Sequence, residues 1–248
     1  MPYNIIKEHI KYNYSPGVHL MDLWGMVVHC TADPGATVKD EFHYLDTGNR
    51  NASGSAYIDN TTIAEFVTLD PGKVEKAWHA GRIANDHYIG VELCMPPKHD
   101  VTYFKNVWDR AVWYFAYKFV TVIKQSKVIA PVYKKGLPVE KGNLMSHHEV
   151  TLLWHQSTHV DPDAYFAEYG KTVNDFRLAV QNEIDRLSQT DMSIDEAINI
   201  LSSTPFKDGG FMINNPDLWK KAFKENKLNT NFVKLEFIRM AKYINSTK

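Results

Sequence analysis

Three histidine-bearing segments carry the residues that could do chemistry in this chain. The first, Leu23-Trp24-Gly25-Met26-Val27-Val28-His29, is an apolar run that ends on an imidazole just before Ala32-Asp33-Pro34-Gly35, which cannot continue a strand. A strand ending this way leaves His29 at the rim of a sheet, where α/β proteins keep reactive groups; the other reading is a core histidine bonded to a carbonyl. The second segment, Leu144-Met145-Ser146-His147-His148-Glu149, is again a short apolar approach that ends in histidine. The third, His159-Val160-Asp161-Pro162, sets a carboxylate beside a proline. Two imidazoles and one acid are what a catalytic zinc takes, three ligands with a fourth position left for water. Spacing alone does not bring three distant segments together, and a metal site is one reading among others at this point.

Glu92 is the fourth group of interest. It lies inside the apolar run of residues 88–95, where an unpaired carboxylate would cost several kcal/mol. It must be neutral, paired or set beside a cation, so both a structural salt bridge and a general base facing a site fit its position.

The elements that must hold these groups follow from periodicity and punctuation. Residues 23–28 and 88–95 read as buried strands, the latter stopped by Pro96-Pro97, and residues 55–59 and 62–67 as two short strands about Asn60-Thr61. Val38, Phe42 and Leu45 make residues 37–47 an amphipathic helix. Residues 101–124 form a long core helix that packs Trp108, Val112, Phe115, Phe119 and Val122. Ser15-Pro16-Gly17 reads as a turn, Asp70-Pro71-Gly72 and residues 127–142 as loops, and residues 163–169 and 173–187 as helices. The alternation predicts an α/β protein. Polar residues 188–191 mark a break, giving a larger domain over 1–187, a linker over 188–192 and a small all-α domain over 193–248. In that tail the capping pair Ser193 and Glu196 opens a helix through Leu201, Asn215-Pro216-Asp217 starts another, and residues 232–244 form a third.

Composition narrows the function. With 248 residues, 44% hydrophobic and 23% charged, and a formal net charge of -1, the chain has an ordinary globular balance and no general attraction for nucleic acid or anionic membranes. Cys30 and Cys94 make neither a disulfide framework nor a CxxC metal site, which leaves a single bridge between them open. The start, MPYNIIKEHIKYNY, lacks the pattern of a secretory signal, and no stretch has the length of a membrane span, so we expect a chain made in the cytoplasm without membrane insertion.

Four motifs in order carry a resemblance: Val28-His29-Cys30-Thr31-Ala32; Ala77-Trp78-His79-Ala80-Gly81 followed by Asn85 and Ile89-Gly90-Val91-Glu92; Ser146-His147-His148-Glu149; and His159-Val160-Asp161-Pro162. Over residues 13–163 the chain resembles the zinc-dependent N-acetylmuramoyl-L-alanine amidases of the peptidoglycan-recognition type, especially phage endolysins of Gram-positive hosts. The resemblance implies a central mixed sheet flanked by helices, with His29, His147 and Asp161 as zinc ligands and Glu92 as general base. His159 stands where relatives often have an oxyanion-stabilising lysine, and Ala56 where they often have histidine. Thr31, Trp78, His79 and Asn85 are implied substrate-groove residues, while His148 and His155 are read as surface or supporting residues. The partner implied is bacterial peptidoglycan, reached after holin-dependent release. The tail resembles the helical C-terminal segments of endolysins, which implies wall binding or a homodimer contact. A non-hydrolytic peptidoglycan-binding module and a cytoplasmic muropeptide-recycling amidase are the competing readings.

Overall fold

The computed structural model describes residues 3–20, 22–132, 141–189, 194–203, 215–224 and 241. The chain divides into two units, Met1–Ile184 and Asp185–Lys248. In chain order the elements are β1 (Ile5–Lys7), β2 (Tyr14–His19), β3 (Gly25–Cys30), α1 (Val38–Asp46), β4 (Ala56–Ile58), β5 (Ile63–Glu65), β6 (Leu69–Asp70), β7 (Lys73–Ala77), α2 (Arg82–His87), β8 (Tyr88–Leu93) and α3 (Val101–Lys118). A π-helical turn, Phe119–Ile123, extends α3; β9 (Asn143–Ser146), α4 (His147–Trp154), α5 (Asp163–Glu168), α6 (Val173–Gln189), α7 (Ile194–Ser203) and α8 (Pro216–Lys224) follow.

Among the described residues, six strands form the main sheet in the order β1-β5-β4-β8-β3-β9, with β4 and β5 antiparallel and the other neighbours parallel. This is the mixed sheet flanked by helices that the resemblance implies. The parallel strands β3 and β8 inside the sheet and β9 at its edge are buried along nearly their whole length, as strands covered on both faces are. The β4–β5 turn is made by Asp59, whose Oδ1 accepts from the backbone N–H groups of Thr61 and Thr62 at 2.7 Å each. On one face, Val27, Tyr88 and Met145 pack with Ala80, Ala84 and Val150, and Tyr57 packs with Val38, Leu45 and Phe66. Edge-to-face ring contacts join Trp108 and Phe115 of α3 to Phe176 of α6. A buried ion pair, Lys118 Nζ to Glu65 Oε1 at 2.6 Å, fastens the end of α3 to β5.

Several expectations are corrected. Ser15-Pro16-Gly17 lies within β2 and is not a turn between elements; among the described residues β2 pairs with β7 at the edge of a separate three-stranded sheet, and its register shifts between Ser15 and His19. An edge strand with a bulge tolerates the missing N–H of Pro16, and Gly17 takes φ +72 there. The Asp70-Pro71-Gly72 loop is the tip of a hairpin whose short strands, β6 and β7, the sequence does not announce. Helices α2 and α4 were also missed. Of the predicted stripe on the long helix, Phe115, Phe119 and Val122 are buried, while Trp108 and Val112 are half-buried at its margin, Trp108 still meeting Phe176 through its ring; Phe104, Val107, Ala111 and Tyr114 complete the buried face of α3. Both cysteines are free.

In the second unit, α7 and α8 pack together, with Ala197, Ile198 and Leu201 buried. Helix α6 continues through Ser188 and Gln189, two positions assigned from sequence to the linker, while 190–192, Ser193 and all of 232–244 except the helical Ala241 lie outside the described residues. No helix among the described residues is long and apolar enough to cross a membrane.

Candidate active site

Strand register builds the site. On the parallel strands β4, β8 and β3, Tyr57 pairs with Glu92 and Glu92 with His29, so the three side chains lie in one row across the sheet. Val28 pairs with Ser146 on β9, which places His147, the next residue, beside His29. There the chain turns into α4. Ser146 Oγ accepts from Glu149 N, and the Glu149 carboxylate accepts from Ser146 N, a capping box that starts the helix at His147 itself. Consecutive helical residues point about 100° apart, so His147 faces the sheet row while His148 turns away to Asp163 Oδ2 at 2.6 Å.

Asp161 arrives from the segment after α4. That segment is strapped back on the helix by His148 N to Asp161 O at 3.2 Å and by Thr151 Oγ1 to His159 O at 2.8 Å. His29 Nδ1, His147 Nδ1 and the Asp161 carboxylate then converge. The two nitrogens are 3.0 Å apart, His29 Nδ1 is 3.3 Å from Asp161 Oδ2, and His147 Nδ1 is 3.1 Å from Asp161 Oδ1. Donor atoms about 2.0–2.1 Å from a tetrahedral zinc would lie about 3.3 Å apart, so these spacings fit that ion closely. The chemistry of the donors fits as well. The Nε2 atoms of His29 and His147 are engaged with protein, by His79 Nδ1 at 3.1 Å and Ser157 Oγ at 2.8 Å, which leaves both Nδ1 atoms turned to one point.

Around this point lies a cleft of about 240 Å³. Glu92 closes one side, with Oε1 3.9 Å from His29 Nδ1 and Oε2 buried without a partner. Burial pushes the Glu92 carboxyl well above its ordinary value, and the nearby Asp161 and Glu41 carboxylates push it further. Burial acts the same way on Asp161, but the His147 and His29 imidazoles beside it outweigh it and hold that carboxyl far below the usual range. Burial lowers the His29 pKa, so the ring is neutral and able to offer a lone pair. Thr31 Oγ1 is a second buried atom without a partner at the cleft wall.

The other predicted residues divide. Trp78 lines the cleft, its indole N–H donating to Ser15 Oγ at 3.0 Å. His159 lies at the rim with its side chain 68% exposed and its ring stacked on His147. Asn85 does not line the cleft; its Oδ1 accepts from the backbone N–H groups of His79 and Ala80 at 2.8 and 2.9 Å and so shapes the loop before α2. His79 is buried against His29, with both ring nitrogens used within the protein. His155 is exposed at the end of α4. Sequence reasoning missed Tyr57, Ser157 and Glu41. Tyr57 was legible from alternation on β4; nothing local marked the other two.

The fold is a mixed α/β sheet that gathers two imidazoles and a carboxylate at one end of its parallel strands. The chain belongs to the N-acetylmuramoyl-L-alanine amidase family Amidase_2, whose model matches residues 20–164. Protein Ami of Listeria monocytogenes is 29% identical over 237 residues, which is 94% of this chain and 24% of that protein. The bifunctional autolysin of Staphylococcus aureus is 26% identical over 165 residues, 64% of this chain and 12% of that protein. The chain thus spans about a quarter or less of the length of these relatives. Similar folds are those of the Staphylococcus aureus hydrolase AmiA in complex with its ligand (TM-score 0.59, 21% identity, 73% of this chain and 83% of that one) and the catalytic domain of XlyA (TM-score 0.51, 20% identity, 72% and 99%).

Proposed function

We propose that the protein is a zinc-dependent peptidoglycan hydrolase that cleaves the amide between N-acetylmuramic acid and L-alanine. The observation that carries this reading is the convergence of His29 Nδ1, His147 Nδ1 and the Asp161 carboxylate beside the unpaired Glu92 Oε2. Zinc held by those three side chains supplies a Lewis acid for the lactyl carbonyl and lowers the pKa of a water. Glu92 takes the proton of the attacking water at its cleft-facing carboxylate and returns it to the leaving amine nitrogen. A pKa raised by burial suits a group that must give back the proton it has taken, and a cation beside it moderates that rise. His159, at the rim and free to reach the substrate, donates to the developing oxyanion when protonated on the facing nitrogen. Thr31 and Trp78 line the path of the muropeptide.

The test is clearing of Gram-positive cell walls, abolished by a chelator and restored by zinc, with new L-alanine amino termini among the products. Clearing that ignores the chelator, or products that carry only new reducing sugar ends, would overturn it. Binding to walls without clearing would favour a non-hydrolytic module instead.

We further assign a wall-lytic setting. The alignment with Ami takes in 94% of the chain and so reaches into residues 193–248, which supports a tail that works with the catalytic part; we assign it to wall binding, with homodimer contact the competing role. One fold neighbour is described as a mutant endolysin from Bacillus subtilis (TM-score 0.50, 20% identity, 71% of this chain and 98% of that one), which favours release of the enzyme from a phage-infected cell. Expression inside a Gram-positive host separates the roles: an endolysin lyses the cell when a membrane pore is co-expressed, a recycling amidase does not.

A further inference from the structure

Inside the sheet, behind the site, runs a chain of hydrogen bonds that the proposed reaction does not use. His79 Nε2 is 3.1 Å from the backbone oxygen of Tyr88, which can only accept, so Nε2 carries the proton of the neutral ring and Nδ1 is bare. That bare Nδ1 lies 3.1 Å from His29 Nε2 and must accept from it. His29 is thereby protonated on Nε2, and its Nδ1 lone pair points to His147 and Asp161. Two features of the backbone hold the His79 ring in place. Asn85 Oδ1 grips its N–H at 2.8 Å, and Gly90 opposes its ring so closely that a Cβ there would lie 2.3 Å from Cγ and 2.5 Å from Nδ1.

We infer that His79 is a positioning residue that fixes the tautomer of His29, presenting the Nδ1 lone pair to the metal, and that Gly90 is glycine to admit its ring. The metal part of this inference rests on the zinc reading above; the tautomer part does not. Loss of such an outer partner costs about 10–100-fold in metal affinity.

The experiment uses the full chain, first without metal and then with zinc, each variant checked for folding by circular dichroism. In the metal-free wild type, imidazole 15N shifts of His29 are expected to show Nε2 protonated and Nδ1 bare. His79→Leu fills the space but removes the acceptor, and His29 is expected to become a mixture of tautomers and zinc affinity to fall about 10–100-fold. His79→Asn keeps an oxygen at the δ position and is expected to hold the tautomer and affinity near wild type. Gly90→Ala is expected to weaken zinc as His79→Leu does. A wild type with the fixed tautomer but no zinc binding would sink the zinc reading and leave the tautomer inference standing. Equal tautomer and affinity in wild type and His79→Leu, or equal losses in the Leu and Asn variants, would overturn the inference.

Discussion

At the scale of single residues, two carboxylates in one cleft are set to opposite behaviour. Asp161 is kept ionised by two imidazoles, while Glu92, with no partner for Oε2, keeps its affinity for a proton. Glu92→Gln is expected to retain zinc and lose nearly all amidase activity, and Asp161→Ala to lose both; zinc content measured beside wall clearing checks the pair, and an active Glu92→Gln enzyme would remove that residue from the reaction. Glu41 offers a separate test. Burial, and then Asp33 and Asp40, push its carboxyl up to about 7 from 4.5. A raised acid binds more protons folded than unfolded, so its contribution is full below the unfolded value and stability falls as pH rises from about 4.5 to 7. Glu41→Gln removes that loss. Urea unfolding should show the variant gaining about 2 kcal/mol on wild type between pH 5 and pH 8, and a pH-independent difference would refute the assignment. The residue types of the ligand set and of Glu92 were legible from the sequence. The roles of His79 and Asn85 were not, because a hydrogen bond between rings 50 residues apart leaves no local pattern.

At the scale of elements, parallel register does the aligning. Tyr57, Glu92 and His29 fall in one row because β4, β8 and β3 pair without a bulge, and β9 adds His147 only if its pairing with β3 holds. Gly25 guards that pairing: a Cβ there would lie 1.8 Å from the backbone oxygen of Asn143. Gly25→Ala is therefore expected to displace β9, costing about 1–3 kcal/mol of stability and weakening zinc binding with it; an unchanged melting temperature and affinity would show that β9 does not set the spacing. Buried strands and long helices could be read ahead of the structure because they repeat over many residues. The hairpin β6–β7 and helix α2 could not, being short and, in the hairpin's case, mostly polar. The start of α4 is legible too, since Ser146 and Glu149 spell a capping box, although the apolar approach to His147 signals only the strand before it.

At the scale of the whole molecule, the groups proposed for catalysis all belong to the first unit, and the tail has its own small buried set on α7. If residues 193–248 serve the wall, a chain ending at residue 189 should cleave a soluble muropeptide at an unchanged rate yet sediment poorly with isolated walls. Equal sedimentation of the two proteins would assign the tail elsewhere, and a fall in molar mass from dimer to monomer would assign it to self-association. One feature of the site reaches beyond catalysis. His29 and His147 are 118 residues apart in the chain and meet through the δ nitrogens, the ring atoms nearer the backbone. An ion gripped there would act as a removable clasp across a very long loop, drawing main chain to main chain with little slack. Folding and loading then share one free energy, so the melting temperature should climb with the logarithm of free zinc and drop when the ion is stripped.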